Sequence, residues 1–416
     1  MSTKCSWSSR LMSMRVLAFL LVVTAASAAE RRAIFPPGVK PIGPYSPGIL
    51  VGDWLYVSGQ GARTPDGAMP ADFRAQVRQT LENVRAVVEA AGLSMDHVVY
   101  SQIYLEDVRR WEELGPVWRE FFPHDAPACA ALGVERMPGG TPVEINAVAV
   151  RDLARKKVTL LRDVAVPPFC SAAVDAGDRV FVSGVLGYEA LAARIPAEPE
   201  AQVETALNQL GAILKAAGLD FRHLVFVNPY LTDRVPTETM NRLYARRFEF
   251  GNTPARATIR VKALPAGAGI EFTGVAVKDL TRRRAVRPKN MAPSATASPC
   301  VFAADTLYCS AKSGFIPGPR SGIYASTVEH QLRQTMRNLL DGLEEAELDF
   351  SHVVATNVYL DDVADFERMN RVYAQYFTPG AFPTRTTVQP LPPVERKPDA
   401  EDRWPMLEQI SLIAVK

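Results

Sequence analysis

Cysteine is scarce in this 416-residue chain: there are five, none in a Cys-x-x-Cys pair. Cys129, Cys170, Cys300 and Cys309 lie singly among apolar or small residues, which reads as buried free thiols rather than zinc ligands or a disulfide framework. An excess of either charge is also missing, since 47 Lys and Arg face 45 Asp and Glu. That balance removes the global field expected of a nucleic-acid or membrane-surface binder and leaves small molecules or protein partners. Long apolar runs are absent too. The best candidate, residues 16–26, falls short of the roughly 20 residues a membrane span needs. With Lys4, Arg10 and Arg15 ahead of it and Ala26-Ser27-Ala28 behind, residues 1–28 read as a secretory signal peptide. The alternative is an uncleaved anchor; on either reading the protein works outside the cytoplasm, secreted or periplasmic.

What is present is an internal repeat, and the chain is too long for one hydrophobic core. LYVSG at 55–59 recurs as VFVSG at 180–184 and as LYCSA at 307–311. EAAGL at 89–93 recurs as KAAGL at 215–219 and EEAEL at 344–348, and IYLED at 103–107 as PYLTD at 229–233 and VYLDD at 358–362. The period, about 125 to 130 residues, is that of a whole domain rather than of a solenoid unit. Between the first two markers each copy has apolar residues at three-and-four spacing, as in Phe73, Val77, Leu81, Val84 and Val88. A second helix follows the third marker, and each copy closes on alternating strands such as VEINAVAV at 143–150. The order per repeat is ββαβαββ, an α+β unit with two helices on one sheet face. Domains are expected at 34–152, 157–281 and 290–416, joined by basic, solvated linkers at 151–158 and 281–290. The uncovered sheet faces should bury one another around a pseudo-threefold axis, giving a monomer that is a pseudo-trimer.

GPYSPGILVGDWLYVSGQ at 43–60 and TPARATIRVKALPAGAGIEF at 253–272 resemble the opening motif and the Pro-Ala-Arg signature of the RidA (YjgF) family. The resemblance covers nearly all of the chain beyond residue 28. It implies sites between subunits, here between repeats, that act on 2-imino or 2-enamino acids. In such a site the signature Arg grips the substrate carboxylate through its planar fork. The Glu of the last strand handles the water and proton. No cofactor or metal is implied.

Transferred residue by residue, the pattern is uneven. Repeat 2 keeps both Arg256 and Glu271. Repeat 3 keeps Arg385 but has Gln409 in the Glu position, with Glu408 one place earlier and facing the other way along the strand. Repeat 1 keeps Glu144 but has Cys129 in the Arg position. The opening Tyr survives only as Tyr45, aligned with Cys170 and Ala297. The helix Asn survives as Asn241 and Asn370 and becomes Gly115 in repeat 1. These counts favour one competent cleft around Arg256 and Glu271, with Tyr45 completing it. Arg385 is a further catalytic candidate, and Ser58, Gly59, Gln60, Asn241, Asn370 and Glu144 are substrate-binding candidates. The simpler reading of Arg256 and Glu271 is a cross-strand ion pair. His97, His223 and His352 recur in every copy just past a helix and read as turn residues; Tyr104, Tyr230 and Tyr359 read as packing. The expected function is an exported imine deaminase. The alternative is a non-catalytic protein holding small carboxylates in the same clefts, without nucleic acid as partner.

Overall fold

The computed structural model describes residues 1–3, 30–289, 291–318 and 322–416; the expected signal peptide lies, beyond its first three residues, outside them. No helix among the described residues is long and apolar enough to cross a membrane.

Each repeat folds on its own sheet. That of repeat 1 runs Arg31–Ile34, Gly48–Val51, Trp54–Gly61, Val143–Val150, Val98–Leu105, Ala128–Gly133. Every neighbouring pair is antiparallel except the last. The other two sheets repeat this order. The first strand of each was not expected. Lys156–Thr159 and Arg283–Val286, taken from the sequence as solvated linkers, are edge strands of the second and third sheets. Lys157 and Arg284 point outward, as edge strands tolerate, while Lys156 and Arg283 are half-buried and donate to Asp96 O and Leu224 O of the preceding repeat.

Two helices cover one face of each sheet: α1 (Phe73–Ala90) and α2 (Leu114–Phe121), α3 (Pro199–Ala216) and α4 (Thr237–Ala245), α5 (Val328–Glu345) and α6 (Phe366–Tyr373). The apolar stripe of α1 is buried at Phe73, Val77, Leu81, Val84 and Val88, and truncating such a leucine costs about 2–5 kcal/mol. Asp72 caps α1 through Ala75 N, and Thr327 caps α5 through His330 N. The first two long helices end on Gly92 (φ 82°) and Gly218 (φ 77°), whereas the third uses Glu347 at φ 62°. Each of His97, His223 and His352 accepts a backbone N–H three residues upstream, closing the turn into the next strand.

The uncovered sheet faces meet at the centre. One axial cluster joins Ile49, Trp54 and Tyr56 to Val174, Phe181 and Val354; another joins Tyr104, Tyr230 and Tyr359. The ring closes where Gly133 N donates to Ala263 O (2.9 Å) and Glu135 N to Gln389 O (2.9 Å).

Candidate functional site

The three seams share one joint. Ser58 Oγ of repeat 1 donates to Ser46 O (2.7 Å) and accepts from the backbone N–H of Arg385 of repeat 3 (2.9 Å). Ser183 does the same between Ser171 and Cys129 (2.6 and 2.8 Å), and Ser310 between Ser298 and Arg256 (2.6 and 2.8 Å). The signature position of each repeat is therefore presented to the Ser-Gly segment of the next, in the cyclic order 1 to 2, 2 to 3, 3 to 1. With both its bonds made inside the seam, Ser58 is a joint and not the substrate-binding residue the sequence suggested.

This order decides which residues meet. Arg256 lies against repeat 3, whose acid is replaced by Gln409, while Glu271 faces the seam with repeat 1 and rests on Gly184 beside Ala130. The expected pairing of Arg256 with Glu271 does not form: both belong to one repeat, and the ring turns them toward different neighbours.

The complete set stands in the seam between repeats 3 and 1. Arg385 is 4% exposed and its guanidinium packs over the rings of Tyr45, Phe366 and Tyr373 at 5.4, 5.3 and 5.0 Å. Burial lowers its pKa below the ordinary guanidinium value, while Tyr373, Tyr45 and Glu144 oppose that shift. Its Nη2 and Asn370 Oδ1 are buried without a hydrogen-bond partner among the described residues, polar groups whose cost a ligand would offset. Glu144, 7% exposed, lies over Gly59, where a Cβ would collide with its Oε1. The glycine of Ser-Gly-Gln is therefore the space the acid occupies. In repeat 3 that glycine is Ala311, and the acid is correspondingly absent. Burial pushes the Glu144 carboxyl up to about 8 against the pull of Arg385. Tyr45, Gln60, Thr387 and Phe366 complete the walls of a cavity of about 580 Å³ holding Arg385 and Glu144 together. Gln60 Nε2 is turned back onto Ser58 O (3.0 Å).

The other two seams have lost parts. Between repeats 2 and 3, Arg256 Nη1 donates to Asn241 Oδ1 (2.7 Å) and the guanidinium lies 5.2 Å from the Tyr244 ring, with no acid paired to it among the described residues. Glu408 does not substitute, because it turns away to accept the Thr335 hydroxyl; burial holds its pKa at about 8.

Between repeats 1 and 2, Cys129 and Cys170 form a disulfide (Cα–Cα 5.9 Å), and Cys300 and Cys309, directly paired across a hairpin, form another. These correct the expectation of free thiols. The first bond joins the Arg position of one repeat to the Tyr position of the next. Phe169 then fills the seam, packing on Trp118 (5.7 Å) and on Gly115, which leaves it room where the helix Asn would be. Glu271 is stranded behind this plug, Oε1 without a partner among the described residues and its pKa driven well above the carboxylate range by burial. The sequence aligns Cys129 with the signature Arg and Cys170 with the opening Tyr, and it gives no sign that these two positions meet across a seam.

The family model described as "Endoribonuclease L-PSP" matches three times, at residues 37–151, 162–278 and 288–392. A "RutC family protein" of Pyrococcus horikoshii is 37% identical over 115 residues, 27% of this chain and 91% of that protein. The "2-iminobutanoate/2-iminopropanoate deaminase" of Escherichia coli is 40% identical over 114 residues, 26% of this chain and 89% of the enzyme. The crystal structure of the YjgF product of E. coli is 35% identical and covers 29% of this chain and 98% of that one, with a TM-score of 0.28.

Proposed function

Because the chain belongs to the RidA (endoribonuclease L-PSP) family in each of three repeats, we propose that it is an imine deaminase with a single working cleft, between repeats 3 and 1. The observation that carries this is the convergence of Arg385, Glu144 and Tyr45 on one cavity. Arg385 holds the substrate carboxylate through its unpartnered Nη2. Glu144, with a pKa of about 8, is mostly protonated at neutral pH and so can protonate the imine nitrogen. Water adds to C2 and gives one proton back to Glu144; the proton of the new hydroxyl passes to the amino nitrogen as the C–N bond breaks, so that NH3 leaves and the C2 carbonyl forms. The sum is a 2-imino acid plus water giving a 2-keto acid plus ammonia.

The same reading makes the protein an exported monomer. Two disulfides suit an oxidising compartment, in keeping with the leader-like residues 1–28. Faces that three separate subunits would bury are covered within one chain. The test of function is keto-acid release from 2-imino acids generated in situ by an amino-acid oxidase. Acceleration by the wild type that disappears in Arg385→Ala supports it; wild-type rates equal to the spontaneous ones refute it.

A further inference from the structure

The cavity is much larger than the reaction requires. At about 580 Å³ it falls in the range of about 300–1,000 Å³ that encloses drug-sized ligands. A three- or four-carbon imino acid held on Arg385 would leave most of that space to water.

The surplus space is walled asymmetrically. Polar groups gather at the floor, where Arg385, Glu144 and Tyr45 stand. Away from it the apolar lining is Val39 and Ile42 from the segment before the opening motif, Ala86 and Ala90 from α1, and Phe366 from α6, while the charged Lys40, Arg63 and Glu89 stand at the exposed rim. Ile42 is 59% exposed and reaches across the mouth to Gly139, an apolar lip held at the solvent boundary. The corresponding wall of repeat 3 differs. α1 and α5 are both 18 residues long, so Asp341 stands at the place of Ala86 and Glu345 at that of Ala90, while Lys312 replaces Gln60 and feels the charge of Asp341. Repeat 2 keeps alanine at both places, as Ala212 and Ala216 of α3, but its seam is the one filled by Phe169; in the seam that keeps acid and arginine together, the small side chains of α1 line a cavity.

We propose that this cleft is shaped for 2-imino acids carrying a long apolar side chain, branched or aromatic, which lies along Val39, Ile42, Ala86 and Ala90 while the carboxylate sits on Arg385. The proposal rests on the reading of the cleft as a carboxylate-gripping site. The exposed Lys40 at the rim offers the competing specificity, an acidic side chain.

Stable 2-keto acids separate the selectivity of the pocket from its chemistry. Calorimetric titration of the full chain with phenylpyruvate, 4-methyl-2-oxopentanoate, pyruvate and 2-oxoglutarate should give the first two about tenfold or more tighter than pyruvate, the usual discrimination of an apolar pocket. Ala86→Trp and, separately, Ala90→Trp, on the partly exposed side of α1, should reduce that ratio several-fold. Pyruvate binding as tightly as phenylpyruvate, or 2-oxoglutarate binding tightest, overturns the proposal. Turnover of the matching imines is scored separately. Apolar selectivity without turnover sinks the deaminase reading alone, turnover with flat selectivity sinks this inference alone, and no binding of any of the four sinks both.

Discussion

Glu144 of repeat 1 lies over Gly59 in the same cavity as Arg385 of repeat 3, and the Arg385 backbone N–H is fastened to Ser58, the residue before that glycine. The proton-carrying acid and the carboxylate-gripping guanidinium are thus positioned by two adjacent residues, Gly59 and Ser58. Arg385→Ala and Glu144→Gln should each lower imine turnover by about 10²-fold or more, the usual worth of a group that orients the substrate and of a positioned acid–base group respectively. Arg256→Ala and Glu271→Gln should leave it within a factor of about two. Steady-state rates on the four variants decide between this seam and the others, and a large loss in Arg256→Ala would count against the assignment.

Gly59→Ala offers a finer test. Its Cβ would overlap Glu144 Oε1, so the acid must move while the seam hydrogen bonds remain possible. Turnover should fall nearly as far as in Glu144→Gln. Gly184→Ala, the same change beside Glu271, should destabilise the fold without touching turnover.

The pH profile follows from burial. Glu144 acts while protonated, so kcat/KM should decline as pH rises through about 8. Stability should move in the same direction. Glu144 and Glu408 both have folded pKa values of about 8, above the usual 4.5, so the folded state holds protons that the unfolded chain has released. Their contribution is fully present below about pH 4.5 and is lost as pH rises through 8. A Tm at pH 9 equal to or above that at pH 6 would contradict it.

Breaking the seam disulfide should cost stability and spare activity. Cys129 and Cys170 are 41 residues apart, and closing such a loop is worth roughly 4 kcal/mol in the chain-entropy account. A Cys129→Ala/Cys170→Ala variant should melt at lower temperature yet keep wild-type turnover. Turnover abolished in a still-folded variant would tie the sealed seam to catalysis.

The three-domain α+β fold was legible because its signals are local: apolar spacing on the helices, alternation in the strands, and turn residues recurring at one period. So were the individual site residues, since Arg385, Glu144, Tyr45 and Asn370 each stand in a recognisable motif. Their grouping was not legible. Whether Arg256 meets Glu271 depends on the sense in which three similar units follow one another around an axis, and no local pattern encodes that. The Cys129–Cys170 disulfide escaped for the same reason, as these two cysteines are neighbours only across a seam. The extra edge strands were hidden by their lysines and arginines, which a linker and an exposed strand edge use equally. Val39, Ile42 and Ala86 could not be read as cavity walls, because nothing in a short apolar side chain says whether it faces protein or empty space.

The serine joint recurs in all three seams while the chemistry around it has diverged threefold. In a ring of identical subunits any codon change strikes every pocket at once, so a pocket cannot be experimented with while another keeps working. Written out in one chain, the seams are inherited separately: one can be welded shut and another stripped of its acid while the third continues undisturbed.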